Sequence, residues 1–281
     1  MPENRRRIFR GLLRKEWQEQ RWRFFLGTTV LSGLLAGLLR AQIIPNGEAA
    51  LLIYGPVGLV MVVFLAMGSV ASERADRTWE FLTVQPVSRA QVLRSKWMMG
   101  LAQLAGMMVI ATLAGMAAMA SRGFRRVPKE FAYDNFSNVR NLSHLLTGAH
   151  PLETIGVFAL VATISLACWY TPLFFLLTRA RQEFTAALGG ISLTIALLVW
   201  LIQLLPAGKS WDFERTVTLY QAALFCTGLL NPLSPLVVAF PGVFAPLLPV
   251  LLLAQAGLWI VLPVWLVGWK SGRPIQKWMQ T

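Results

Sequence analysis

Four residues come nearest to a catalytic signature. Ala207-Gly208-Lys209-Ser210 has the end of a phosphate-binding loop, Gly-x4-Gly-Lys-Ser/Thr, but the position of its first glycine is Gln203. The tetrapeptide also follows an apolar run instead of a β-strand. The chain is therefore expected to bind no ATP and to carry no nucleotide-hydrolysing site. His144 and His150 are the only histidines, and both lie in a polar stretch between apolar runs. An intramembrane protease or metal enzyme needs ionisable groups held at depth. No Asp or Glu falls clearly inside an apolar run, which argues against both and against a proton-coupled carrier. No catalytic residue and no metal site is expected. The amides of Gln103 and Gln255 are expected to bond between helices. Cys168 and Cys226 sit in apolar stretches and read as buried structural thiols. Gly33 and Gly37 form a Gly-x3-Gly pair, which suits close helix packing either within the chain or across a dimer seam.

The elements that would carry such groups follow from composition. The chain has 281 residues, 56% apolar and only 14% charged, whereas a soluble domain carries roughly a quarter charged residues. This excludes a disordered chain, a coiled coil and an ordinary nucleic-acid-binding domain. It points to an all-α, polytopic membrane protein. The formal charge of +13 then reads as basic flanks of membrane spans facing anionic lipid, with no nucleic acid partner.

Residues 1–23 carry eight Arg and Lys, with Ile8, Phe9, Leu12, Leu13 and Trp17 spaced three and four apart. The pattern predicts an amphipathic helix lying in the membrane interface. It is not read as a secretory signal, because the n-region is long and no small-x-small site follows the apolar run. Six spans are expected, each of about 20 residues: 24–44, 50–71, 97–120, 155–178, 185–205 and 247–269. Between them lie a cytoplasmic stretch 72–96, an outer loop 121–154, a short turn 179–183 and an outer loop 206–246. Residues 216–240 are apolar enough for a seventh span, but Asn231-Pro232, Pro235, Pro241 and Pro246 favour a re-entrant element.

Charge asymmetry tests this count. With the amino terminus inside, six spans place 18 basic residues in the cytoplasm and eight outside, whereas seven give 15 and 11. The positive-inside rule favours six, with both termini cytoplasmic. Arg122, Arg125, Arg126, Lys129 and Arg140 stay outside in a long loop, where such charge is tolerated.

The stretch 72–96 is the informative one. Its first half has helical composition with Trp79, Phe81 and Leu82 close together among charges, and Pro86 stops it. Ser88 stands three before Gln91, a capping-box spacing that starts a new helix able to run straight into the third span. An apolar cluster rimmed by charge marks a protein contact or a seat on lipid headgroups.

The stretch resembles the permease subunits of ABC transporters of the type-2 exporter class. That family shows Glu-Arg-x-x-Gly-Thr-x-Glu-x-Leu, then Pro-x-Ser-Arg and a Gly-Lys pair before the third span. Glu73, Arg74, Thr78, Glu80, Leu82, Pro86, Ser88, Arg89 and Lys96 stand in the matching places. Arg77 and Ser95 replace the two glycines. The N-terminal helix with Lys15-Glu16 is similar to the family's elbow helix, and Asn231-Pro232-Leu233 to its outer re-entrant element. The resemblance implies that residues 73–89, including Arg77, Trp79 and Phe81, form a coupling helix docking on a separate ATPase subunit. Arg179, Arg181 and Glu183 would form a second coupling turn. It implies a homodimer, or a heterodimer with a related permease, in the cytoplasmic (inner) membrane, and two ATPase subunits that carry ATP and Mg. Without the resemblance, a membrane anchor or assembly factor that docks a cytoplasmic partner remains the alternative.

Overall fold

The computed structural model describes residues 2–41, 49–50, 52–75, 89–121, 151–177, 185, 188–196, 231 and 248–265. Within these, 2–8, 68–75, 89–90, 151–154, 157 and 248–249 are described by backbone alone. All described elements are helical: α1 (Pro2–Ala41), α2 (Gly58–Ala75), α3 (Arg89–Ala120), α4 (Pro151–Leu177) and α5 (Leu248–Ala256). Single π-helical turns precede α2 (Ile53–Val57) and follow α5 (Gly257–Val261). Residues 188–196 are also helical. Three helical stretches are long and apolar enough to cross a membrane: Phe9–Ala41, Gln91–Ala120 and Phe158–Leu177. Shorter apolar helices cover Ile53–Met67 and Val250–Trp265. Their outward faces carry bare apolar side chains such as Phe25, Leu113 and Leu160. That arrangement suits hydrocarbon as solvent and would be costly in water.

Helix directions follow from which residues meet. On α1 and α3, Glu16 meets Lys96, Phe24 meets Gly106, Gly27 meets Met107 and Leu35 meets Gly115. Both numbers rise together, so the two helices run parallel with a constant offset. On α3 and α4 the order reverses, since Trp97 reaches Thr171 and Met116 lies by Gly156. Tyr54 lies beside Thr112, and Phe64 beside Trp22. Given the α1–α3 offset, α2 therefore runs antiparallel to α3. Two parallel helices crossing one bilayer require a return pass between them, and α2 runs in that direction.

The core is built on spacing. Leu31, Leu35 and Leu39 recur every four residues on α1 and are buried against Met107, Met108 and Ala111 of α3 and their neighbours. Close approach depends on glycine. A Cβ at Gly27 would lie 2.8 Å from Met107 Sδ, and one at Gly115 would lie 2.9 Å from Leu35. One at Gly100 would run into the Tyr170 hydroxyl. Small residues let membrane helices approach closely. Tyr54 and Thr112 hydroxyls lie 2.7 Å apart. Thr112 spends its proton on Met108 O at 2.6 Å, so Tyr54 is the donor.

Two expectations need correction. The first is the separate interfacial helix over 1–23. The segment is the first half of α1, which runs unbroken for 40 residues, about 60 Å at 1.5 Å per residue. Nothing between Trp17 and Leu26 breaks a helix, and Trp17 packs on Phe24 at 5.3 Å while Trp22 packs on Phe64 at 5.6 Å. The second is that no ionisable group would be buried along the apolar helices. Glu16 and Lys96 are each 1% exposed.

Candidate functional site

Chemistry-bearing side chains converge at one end of the α1–α3 seam, the end that holds Glu16 and Lys96. Leu12, Glu16 and Gln20 are spaced by four and turned into the molecule. Val92, Lys96 and Gln103 answer them from α3. Lys96 Nζ lies 2.8 Å from Glu16 Oε1 and donates to Oε2 at 2.9 Å. Gln20 Nε2 donates to the same Oε2 at 3.3 Å. The ammonium thus spans both carboxylate oxygens, and a neutral amide takes up further acceptor capacity. A charge this deeply buried is tolerable only when paired and hydrogen-bonded. Gln103 continues the row on the Lys96 face, seven residues further along α3. It is buried, and neither amide atom has a hydrogen-bond partner among the described residues.

Ser95, directly before Lys96, is fully buried and donates to Val92 O at 2.8 Å. Its hydroxyl is satisfied within its own turn. The helix starts at Arg89, directly after Ser88, and runs without a break through the third apolar stretch. Ser88, expected to cap this helix, lies outside the described residues.

Of the residues expected to meet a partner, Glu73 and Arg74 lie on the last turn of α2, and Arg89 opens α3. Arg77, Thr78, Trp79, Glu80, Phe81, Leu82, Pro86 and Ser88 lie outside the described residues, as do Arg179, Arg181 and Glu183. So do His144, His150, Lys209, Ser210 and Cys226. Because α2 runs antiparallel to α3, Ala75 and Arg89 fall at the same end of the bundle as Glu16 and Lys96. The 13 residues between them begin and end there.

Gly33 and Gly37 are exposed, and a Cβ at either would meet nothing within 4 Å. Among the described residues this pair packs on nothing, and the close contacts are made by Gly27, Gly100, Gly106 and Gly115 instead. Gln255 donates from Nε2 to the backbone oxygen of buried Asn231 at 2.9 Å. Asn231 is not helical, so this bond ties α5 to a single described residue and is not the helix-to-helix bond expected. Cys168 is a buried free thiol, as its apolar surroundings suggested.

Sequence reasoning missed the Glu16–Lys96 pair as a site. Its signal was present: Glu16 shares a face with Leu12 and Gln20, and Lys96 heads an apolar helix. What was lacking was any local indication that the two meet across 80 residues. Compared with known proteins, the chain matches no family model and no curated protein sequence.

Proposed function

We propose that the chain is the membrane-spanning permease subunit of an ATP-driven exporter of the ABC type, with ATP hydrolysis on a separate subunit. The reading rests on the match of residues 73–96 to that family's coupling segment. One structural observation supports it. The helices on either side of 76–88 end and begin at one end of the bundle, beside a buried ion pair that ties α3 to α1. A push delivered to such a segment enters the membrane helices through α2 and α3. The ion pair hands it from α3 to α1, because separating Glu16 from Lys96 would leave two buried charges uncompensated, at about 3–5 kcal/mol. Linkage requires the ATPase to bind one permease state better than another, and 73–89 is where that difference would be made.

The same proposal includes six spans with both termini cytoplasmic, a dimer of permease chains and an inner-membrane location. The six-span count rests on the charge asymmetry together with the alternating directions of α1 to α4. The chain itself would bind no nucleotide.

The test is a pull-down of the tagged chain in mild detergent from its native host, with mass spectrometry. A P-loop ATPase recovered at near-equal amounts is expected, and lost when residues 76–83 are scrambled in a chain that still inserts. A chain that comes down alone, or with a partner lacking any nucleotide motif, would overturn the ATP-driven reading in favour of an anchor.

A further inference from the structure

We infer that the outward face of the inner part of α1 is a binding surface for anionic phospholipid headgroups, carried by Arg10, Arg14 and Arg21 around Trp17. Positions 10, 14, 17 and 21 are spaced by four, three and four, so they form one stripe along the helix. All four are exposed. Among the described residues, none of the three arginines has an ion-pair or hydrogen-bond partner.

The nearby acids are already engaged. Glu16 is turned to the opposite face and held by Lys96. Glu19 pairs with Lys15 at 3.5 Å. Glu16 is thus taken inward and exposed Glu19 is neutralised by Lys15, which leaves the stripe with a net positive field. Guanidinium groups match phosphate oxygens in a two-pronged geometry, and indole rings favour the boundary between headgroups and acyl chains.

The levels on the molecule select lipid as the occupant. Phe25, four residues past Arg21 on the same stripe, is 59% exposed, and Leu26 on the next position is 49% exposed. Below that level apolar side chains still reach the surface at the seam between α3 and α4. Phe175 shares a small notch with Leu93, Arg94, Trp97 and Val264, and adjacent Leu176 is 49% exposed. By the constant offset between α1 and α3, Leu93 and Arg94 stand level with Leu13 and Arg14. The arginines thus straddle the height at which bare apolar surface gives way to charge. A ligand with both an acyl chain and a phosphate fits that height. This inference rests on the chain being a membrane protein and does not depend on transport.

The experiment uses the full chain in nanodiscs doped with spin-labelled phosphatidylglycerol or spin-labelled phosphatidylcholine, and reads the motionally restricted fraction of each. The parent is expected to favour phosphatidylglycerol, and added salt to weaken the preference. Arg10→Gln/Arg14→Gln/Arg21→Gln should lower it by roughly fivefold per arginine at low salt, with phosphatidylcholine unchanged. Arg40→Gln, at the far end of α1, should leave it intact. If the triple variant fails to insert, each single change should still lower the preference by a smaller step. A parent without lipid preference, or arginine variants that keep it, would overturn the inference. So would retention of a cytoplasmic protein, lost with the arginines, by a chain that shows no lipid preference.

Discussion

The two halves of the seam between α1 and α3 are held by different physics. The half toward Leu39, the outer half in the proposed topology, is apolar and close-packed, with Leu31, Leu35 and Leu39 buried and Gly115 opposite. The inner half carries Glu16, Gln20, Lys96 and Gln103 on facing sides, all buried. Packing is insensitive to which residue supplies it, provided volume is conserved. A buried ion pair is specific, since either partner alone is a liability. The outer half therefore tolerates conservative exchange, whereas the inner half fixes one register between two helices.

That contrast can be broken most severely at the ion pair. Glu16→Ala or Lys96→Ala alone should destabilise the detergent-solubilised chain by about 3–5 kcal/mol, because each leaves an uncompensated buried charge. Glu16→Leu with Lys96→Met should recover most of that loss. Thermal unfolding of the purified chain checks both. Equal losses in the single and double variants would show that the pair acts by shape and not by charge.

The next largest effect belongs to the outer half. Gly115→Leu drives a side chain into Leu35 and Leu39, and overpacking of this kind costs about 1–3 kcal/mol. Gly27→Ala should cost less, since its nearest neighbour is the end of a flexible methionine side chain. Denaturation of the two variants side by side gives the ranking, which a well-tolerated Gly115→Leu would reverse.

Smaller still is Tyr54→Phe, which removes the donor to Thr112. A hydrogen bond between membrane helices is worth about 0.6 kcal/mol on average, so a shift near that size is expected in the same assay. The smallest effect should come from Gly33→Leu, which enters open space. It should move the stability of the isolated chain by no more than about 0.5 kcal/mol. A large loss would mean that Gly33 is packed after all.

Much of this architecture was legible in the sequence. The apolar runs located α3 and α4, whereas Ser88, whose spacing to Gln91 was expected to start α3, lies outside the described residues. The inner part of α1 was misread, because an amphipathic basic pattern over residues 8–17 is what a surface helix also shows. Two signals favoured the upright helix: no Pro or Gly interrupts residues 12–26, and Glu16 and Gln20 sit on the face that Leu12 occupies. Neither could name Lys96 as the partner, since a contact across 80 residues leaves no local pattern. The Gly33–Gly37 spacing drew attention by its regularity. The glycines that carry the close contacts, Gly27, Gly106 and Gly115, are recognisable only once the offset between α1 and α3 is known.

The most direct test of the coupling account is ATP hydrolysis by the copurified complex, compared between the parent and chains carrying Trp79→Ala or Glu80→Lys. The account predicts that both variants insert normally and that turnover falls. Variants that retain the ATPase and hydrolyse ATP like the parent would contradict it.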